Sequence, residues 1–122
     1  MDDELTGKII GCAIAAHREL GPGLLESAYE TAFARELTLS GIKHQRQVGL
    51  PLNYKGEHLD CGFRIDLMVE NEVIVEIKAV DSLQPIHEAQ LLTYLRLAKK
   101  RTGLLINFNE LQLRDGLRRF VL

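Results

Sequence analysis

The chain has 122 residues, 46% of them hydrophobic, and a formal net charge of -2. That composition suits one folded domain spanning 1–122 and excludes a disordered chain. The mildly acidic balance argues against a strongly electrostatic nucleic-acid binder, while leaving room for an enzyme with a local basic rim. No apolar stretch approaches the roughly 20 residues that cross a bilayer. The opening Met1-Asp2-Asp3-Glu4 is the reverse of a signal peptide's basic start, so a cytoplasmic location is expected. Cys12 and Cys61 lack CxxC spacing and read as buried or free thiols rather than a disulfide or a zinc site.

In chain order, Ile9, Ile10, Ala13, Ile14, Ala16, His17 and Leu20 recur at helical spacing and predict a helix from Asp3 to Leu20. Gly21-Pro22-Gly23 stops it. A second helix is expected from Leu24 to Ser40, with Leu25, Ala28, Tyr29, Ala32, Phe33, Glu36 and Leu37 near one side and Gly41 as its stop. Strands follow from Lys43 to Tyr54, interrupted or edge-placed at Pro51, and from Glu57 to Asp60 after a Lys55-Gly56 turn. Phe63 to Val80 reads as two strands about a tight turn. Asp81 to Gln84 is a loop, and Pro85 fits the first turn of a third helix reaching Lys100, with Gly103 as its stop. Leu104 to Phe108 is a buried strand, and the tail from Leu111 adds a short strand or helix. The order predicts an α/β sandwich, a mixed central sheet flanked by helices.

The central hairpin carries the chemistry. If it is centred on Asn71, Val69 pairs with Val73, Asp66 lies opposite Glu76, and Arg64 lies opposite Lys78. A two-residue turn would instead send Asp66 and Glu76 to opposite faces. The apolar set favours the first register, because it places Ile65, Leu67, Val69, Val73, Val75 and Ile77 in one buried layer. Directly opposed side chains have Cβ atoms roughly 4.5–5.5 Å apart, where two carboxylates repel. A divalent cation removes that conflict. Lys78 follows Glu76 by two residues and shares its face. The plain alternative is a half-exposed hairpin with solvated charges, or a salt bridge from Lys78 to one acid.

Other polar residues carry less. Glu26 sits in a helix's first turn, where acids are ordinarily stabilised, and Tyr29 follows one turn on. His87, Gln90 and Tyr94 share a helical face. His17 lies in an apolar stripe and reads as a core residue. Lys99-Lys100-Arg101 and Arg114, Arg118 and Arg119 are candidate basic rims, or simply solvated surface.

Gly23-Leu24-Leu25-Glu26-Ser27-Ala28-Tyr29, with Glu19-Leu20-Gly21-Pro22-Gly23, His87-Glu88-Ala89-Gln90-Leu91-Leu92-Thr93-Tyr94 and Leu105-Ile106-Asn107-Phe108, resembles the GxxExxY proteins over nearly the whole chain. That family is placed in the PD-(D/E)xK nuclease-like superfamily. The resemblance implies a restriction-endonuclease-like α/β sandwich. It implies Asp66 as the metal-binding aspartate, Glu76 and Lys78 as the Glu-x-Lys pair, and Gln90 and Tyr94 as a Gln-x-x-x-Tyr element. It further implies Glu26 as an acid completing the metal shell and the Ile77 carbonyl as a further ligand. Ile65 stands where the motif often has proline. The implied cofactor is Mg²⁺ or Mn²⁺, the partner is nucleic acid, and a homodimer is common for so small a unit. Metal-bound water would attack a phosphodiester, with Lys78 orienting it or stabilising transition-state charge. The rivals are a non-catalytic nucleic-acid- or protein-binding module on the same fold, and hydrolysis of some other phosphate compound.

Overall fold

The computed structural model describes residues 3–60 and 62–122, so the expectation for Cys61 lies outside the described residues. Helix α1 spans Asp3–Leu20 and α2 spans Glu26–Leu39. Strands β1 (His44–Gly49), β2 (Leu52–Tyr54), β3 (Glu57–Leu59), β4 (Arg64–Val69) and β5 (Val73–Lys78) follow. Helix α3 (Pro85–Ala98) leads to β6 (Thr102–Asn107), and a short 3-10 turn at Leu113–Gly116 leads to β7 (Leu117–Val121). Five strands form a mixed sheet in the order β1-β4-β5-β6-β7, and β2 and β3 form a separate ribbon. Among the described residues only β5 and β6 pair in parallel, and α3 connects them. This is the expected mixed α/β sandwich with a restriction-endonuclease-like arrangement.

Local chemistry explains the element ends. Gly21 takes φ 69 after α1 and donates its N–H to the His17 carbonyl at 2.7 Å. After α2, Gly41 N–H bonds Thr38 O and Ile42 N–H bonds Leu37 O, the paired closure of a left-handed C-terminal cap. Helix α3 ends earlier than the sequence suggests. Lys99 takes the left-handed conformation at φ 57 and caps Ala98. Gly103 is therefore no helix stop. It lies inside β6, where an added Cβ would come 2.9 Å from a Leu91 methyl, so it lets α3 approach the sheet closely. Pro51 interrupts the expected Lys43-to-Tyr54 strand, dividing β1 from β2, and the tail supplies both a 3-10 turn and an edge strand.

The three central strands, β4, β5 and β6, are largely buried on both faces, while the edge strands β1 and β7 are mostly exposed. Leu67, Val69, Val73, Val75, Ile77, Leu104 and Ile106 pack under α1 and α2 with Ile9, Ala13, Phe33 and Leu37. Met68, Ile74 and Leu105 pack under α3 with Leu91 and Leu95. Ile65 departs from the expected layer and joins this second cluster. Among the described residues, no helix is long and apolar enough to cross a membrane.

Candidate active site

The β4–β5 ladder pairs Leu67 with Val75, Met68 with Ile74 and Val69 with Val73. All three pairs are symmetric about Asn71. Glu70 and Asn71 both take positive φ, and Glu72 N–H returns to the Val69 carbonyl at 2.9 Å. The register therefore brings Asp66 opposite Glu76. There the ladder changes character. Asp66 N–H donates to Glu76 Oε2 at 2.9 Å, and Ile77 N–H donates to Asp66 Oδ2 at 2.8 Å. Two carboxylates have taken the places of backbone carbonyls at the open end of the hairpin.

The charges are in conflict there. Glu76 is 3% exposed. Burial, with the Asp66 charge second, pushes its pKa from 4.5 up to about 8, against the Asp66 N–H and Lys78. Burial also raises the Asp66 carboxyl, opposed by the Ile77 N–H and the Gln47 amide. Glu26 is raised by burial as well, with Lys78 pulling down and Asp66 and Glu30 pushing up, while the Ala79 N–H holds its carboxylate. Thus Glu26 reaches the C-terminal end of β5 from the first turn of α2. Three acids share the field of one lysine.

Lys78 does not pair with either hairpin acid within salt-bridge distance among the described residues. Its Nζ donates to Gln90 Oε1 at 2.9 Å, and Gln90 Nε2 donates to the Tyr94 hydroxyl oxygen at 3.2 Å. Burial and then the Glu76 charge raise the Tyr94 hydroxyl pKa. So α3 holds the lysine in place through a neutral amide. Gln90 and Tyr94 fall together as their four-residue spacing predicts. His87 does not join them: its Nδ1 accepts the Gln84 N–H at 2.9 Å and caps α3.

Tyr29 is a structural residue. Its hydroxyl donates to the Gly21 carbonyl and accepts the Leu24 N–H at 3.1 Å, while its ring stacks on Phe108 at 4.8 Å. It fastens the Gly21-Pro22-Gly23 turn over the core and bonds no acid. His17 is a satisfied core residue whose Nε2 donates to the Glu110 carbonyl at 2.7 Å. The Lys99–Arg101 cluster borders the wrong end of the hairpin: Lys100 Nζ bonds the Asn71 carbonyl at 2.8 Å, at the closed turn. Arg118 donates to the Asp115 and Leu117 carbonyls.

Two site neighbours escape sequence reasoning. Glu30 is 8% exposed and accepts from Arg46 Nε at 3.0 Å and Gln47 Nε2 at 2.7 Å. Gln47 Nε2 also donates to Asp66 Oδ1 at 3.2 Å. Glu30 follows Glu26 by one helical turn, a spacing that places both on one face. Nothing in the alternation of β1 singles out Gln47.

Among the described residues, no three Asp, Glu, His or Cys side chains converge as a ready ligand cluster. The donor chemistry of the hairpin end still suits one class of ion. It offers carboxylate and backbone oxygens with an excess of negative charge and no thiolate or imidazole. Such a set matches Mg²⁺ or Mn²⁺ and not a structural zinc. Such an ion would be held by Asp66 and Glu76, with the carbonyl of Ile77, the residue after Glu76. A model of the PD-(D/E)XK nuclease superfamily matches residues 3–120 of the chain. No curated protein and no solved structure matches it.

Proposed function

From membership of the PD-(D/E)XK nuclease superfamily, to which this chain belongs, we propose that it hydrolyses phosphodiester bonds in nucleic acid with a divalent cation at the Asp66–Glu76 pair. The observation that carries this reading is the insertion of both carboxylates into the β4–β5 ladder, where burial raises both pKa values and the Asp66 charge raises that of Glu76 further. A pair placed for stability would be spared that conflict.

Asp66 and Glu76 would hold the ion together with the Ile77 carbonyl, and Glu26 would complete the acidic shell from α2. Once bound, the ion supplies charge neutralisation and a more acidic water. Lys78 would stabilise the anion that forms in the transition state. Gln90 and Tyr94 fix where that charge sits. The identity and spacing of Glu26 and Tyr29 support placement within the GxxExxY branch, since Glu26 reaches the site while Tyr29 secures the glycine turn before it.

The test is cleavage of single- and double-stranded DNA and RNA in Mg²⁺ or Mn²⁺ by wild type beside Glu76→Ala. Metal-dependent cleavage by wild type alone is the expected result. Metal-dependent binding of nucleic acid without cleavage would point to a non-catalytic module.

A further inference from the structure

Gln47 holds a left-handed backbone, φ 52, inside strand β1. A non-glycine residue occupies that region at a cost, and retains it only where its surroundings impose it. Its neighbours keep the regular β1–β4 register, Arg46 with Leu67 and Val48 with Ile65. The distortion is therefore confined to one residue, and that residue is the one facing Asp66. Regular pairing there would have left its amide on the strand's ordinary course. Instead Nε2 bridges Glu30 Oε1 at 2.7 Å and Asp66 Oδ1 at 3.2 Å.

The far side of the bridge is itself anchored. Arg46 Nε donates to Glu30 Oε2 at 3.0 Å, and its guanidinium also reaches Thr31 Oγ1 at 3.0 Å. An amide nitrogen carries two hydrogens and no charge, so it can join two carboxylates without neutralising either. Asp66 then has one oxygen on the Ile77 N–H from β5 and the other on Gln47 from β1. Donors on two strands fix the plane of its carboxylate.

We infer that Gln47 is a positioning residue for Asp66, with Glu30 as its anchor on α2. The inference rests on the reading of Asp66 as a ligand of a divalent cation. Partners that orient a ligating carboxylate are worth roughly 10–100-fold in metal affinity. A purely structural Gln47 would tie α2 to the sheet and act on stability alone.

The experiment is isothermal titration of Mn²⁺ into wild type, Gln47→Gly, Glu30→Gln and Asp66→Asn, with thermal melts of each in EDTA. Glycine accommodates the left-handed backbone and removes the whole side chain, the bridging amide with it. Gln47→Gly should weaken Mn²⁺ binding about 10–100-fold, with an EDTA melting midpoint equal to or above wild type. Glu30→Gln should weaken binding in the same direction. The double variant should bind like Gln47→Gly alone, because both changes act through one contact. Wild-type affinity in Gln47→Gly, with Asp66→Asn unable to bind, would overturn the positioning role and leave the cation site standing. A lower melting midpoint at unchanged affinity would overturn it equally. Wild-type affinity in Asp66→Asn would remove the cation site and the positioning role together.

Discussion

Asp66 and Glu76 are linked reciprocally across the open end of one hairpin: the Glu76 carboxylate accepts the Asp66 N–H, and the Asp66 carboxylate accepts the N–H of Ile77, next to Glu76. Each acid is thereby held by backbone of the opposite strand, while Lys78, the nearest cation in their field, is fastened to α3 through Gln90. Glu76 is buried and Asp66 half-buried, both are held by backbone donors, and the pair is short of positive charge. The expected behaviours follow from that arrangement.

The stability of the metal-free protein should fall as pH rises. The folded-state pKa of Glu76 is raised from 4.5 to about 8. Between those values the native state holds a proton that the unfolded chain has released, so its stabilising contribution is full below about 4.5 and is lost as pH passes about 8. Asp66 and Glu26 are shifted in the same direction. Denaturant melts in EDTA across this window should show the decline, and Glu76→Gln should flatten it. A wild-type curve that rises with pH over the same range would contradict the assignment.

Metal uptake should run against the same protons. Ligating carboxylates must be ionised, so Mg²⁺ or Mn²⁺ affinity should increase toward pH 8 with net proton release on binding. Titration calorimetry in buffers of different ionisation enthalpy measures that release. Asp66→Asn should abolish the heat; equal heats from the two proteins would place the ion elsewhere.

Lys78→Ala should reduce cleavage on the order of 10²–10³-fold, the usual cost of removing one donor that stabilises developing charge. Gln90→Ala, which frees the lysine without removing it, should cost roughly tenfold, in the range for residues that orient an active group. Steady-state rates of the two variants decide the order. A Gln90→Ala loss as large as that of Lys78→Ala would mean that the amide itself meets the substrate.

Tyr29→Phe separates structure from chemistry within the Gly23-to-Tyr29 signature. It removes the hydroxyl that bonds Gly21 and Leu24 and leaves the ring on Phe108. Stability should drop by about 1–2 kcal/mol, while turnover per folded molecule stays near wild type. Full stability with lost turnover would put the hydroxyl in the chemistry.

The hairpin register was legible because pairing about Asn71 gathers Leu67, Val69, Val73 and Val75 into one apolar layer, which a one-residue slip would part. Gln90 and Tyr94 were legible as neighbours from their four-residue spacing, and Lys78 as sharing the face of Glu76; the Lys78–Gln90 contact joins two elements and lies in neither periodicity. Ile65 leaves the expected layer where alternation along β4 breaks at Asp66, beside the side-chain carboxylate bonds and the positive φ of Gln47. Gly103 shows the ambiguity of glycine, which serves both helix ends and close packing; the Leu91 methyl above it distinguishes the two. Glu30 and Gln47 depend on the β1–β4 pairing and on one positive φ. Neither leaves a trace in residue pattern.

The most direct measurement of the central claim is the stability of Glu76→Gln beside wild type, in EDTA and again in saturating Mn²⁺. If the Asp66–Glu76 pair exists to hold a cation, the glutamine amide oxygen can still accept the Asp66 N–H, and the repulsion is gone. Glu76→Gln should then be at least as stable as wild type in EDTA, and only wild type should gain stability from Mn²⁺. A loss of roughly 3–5 kcal/mol in Glu76→Gln without metal, the cost of breaking a buried ion pair, would contradict the account and make the cluster a structural one.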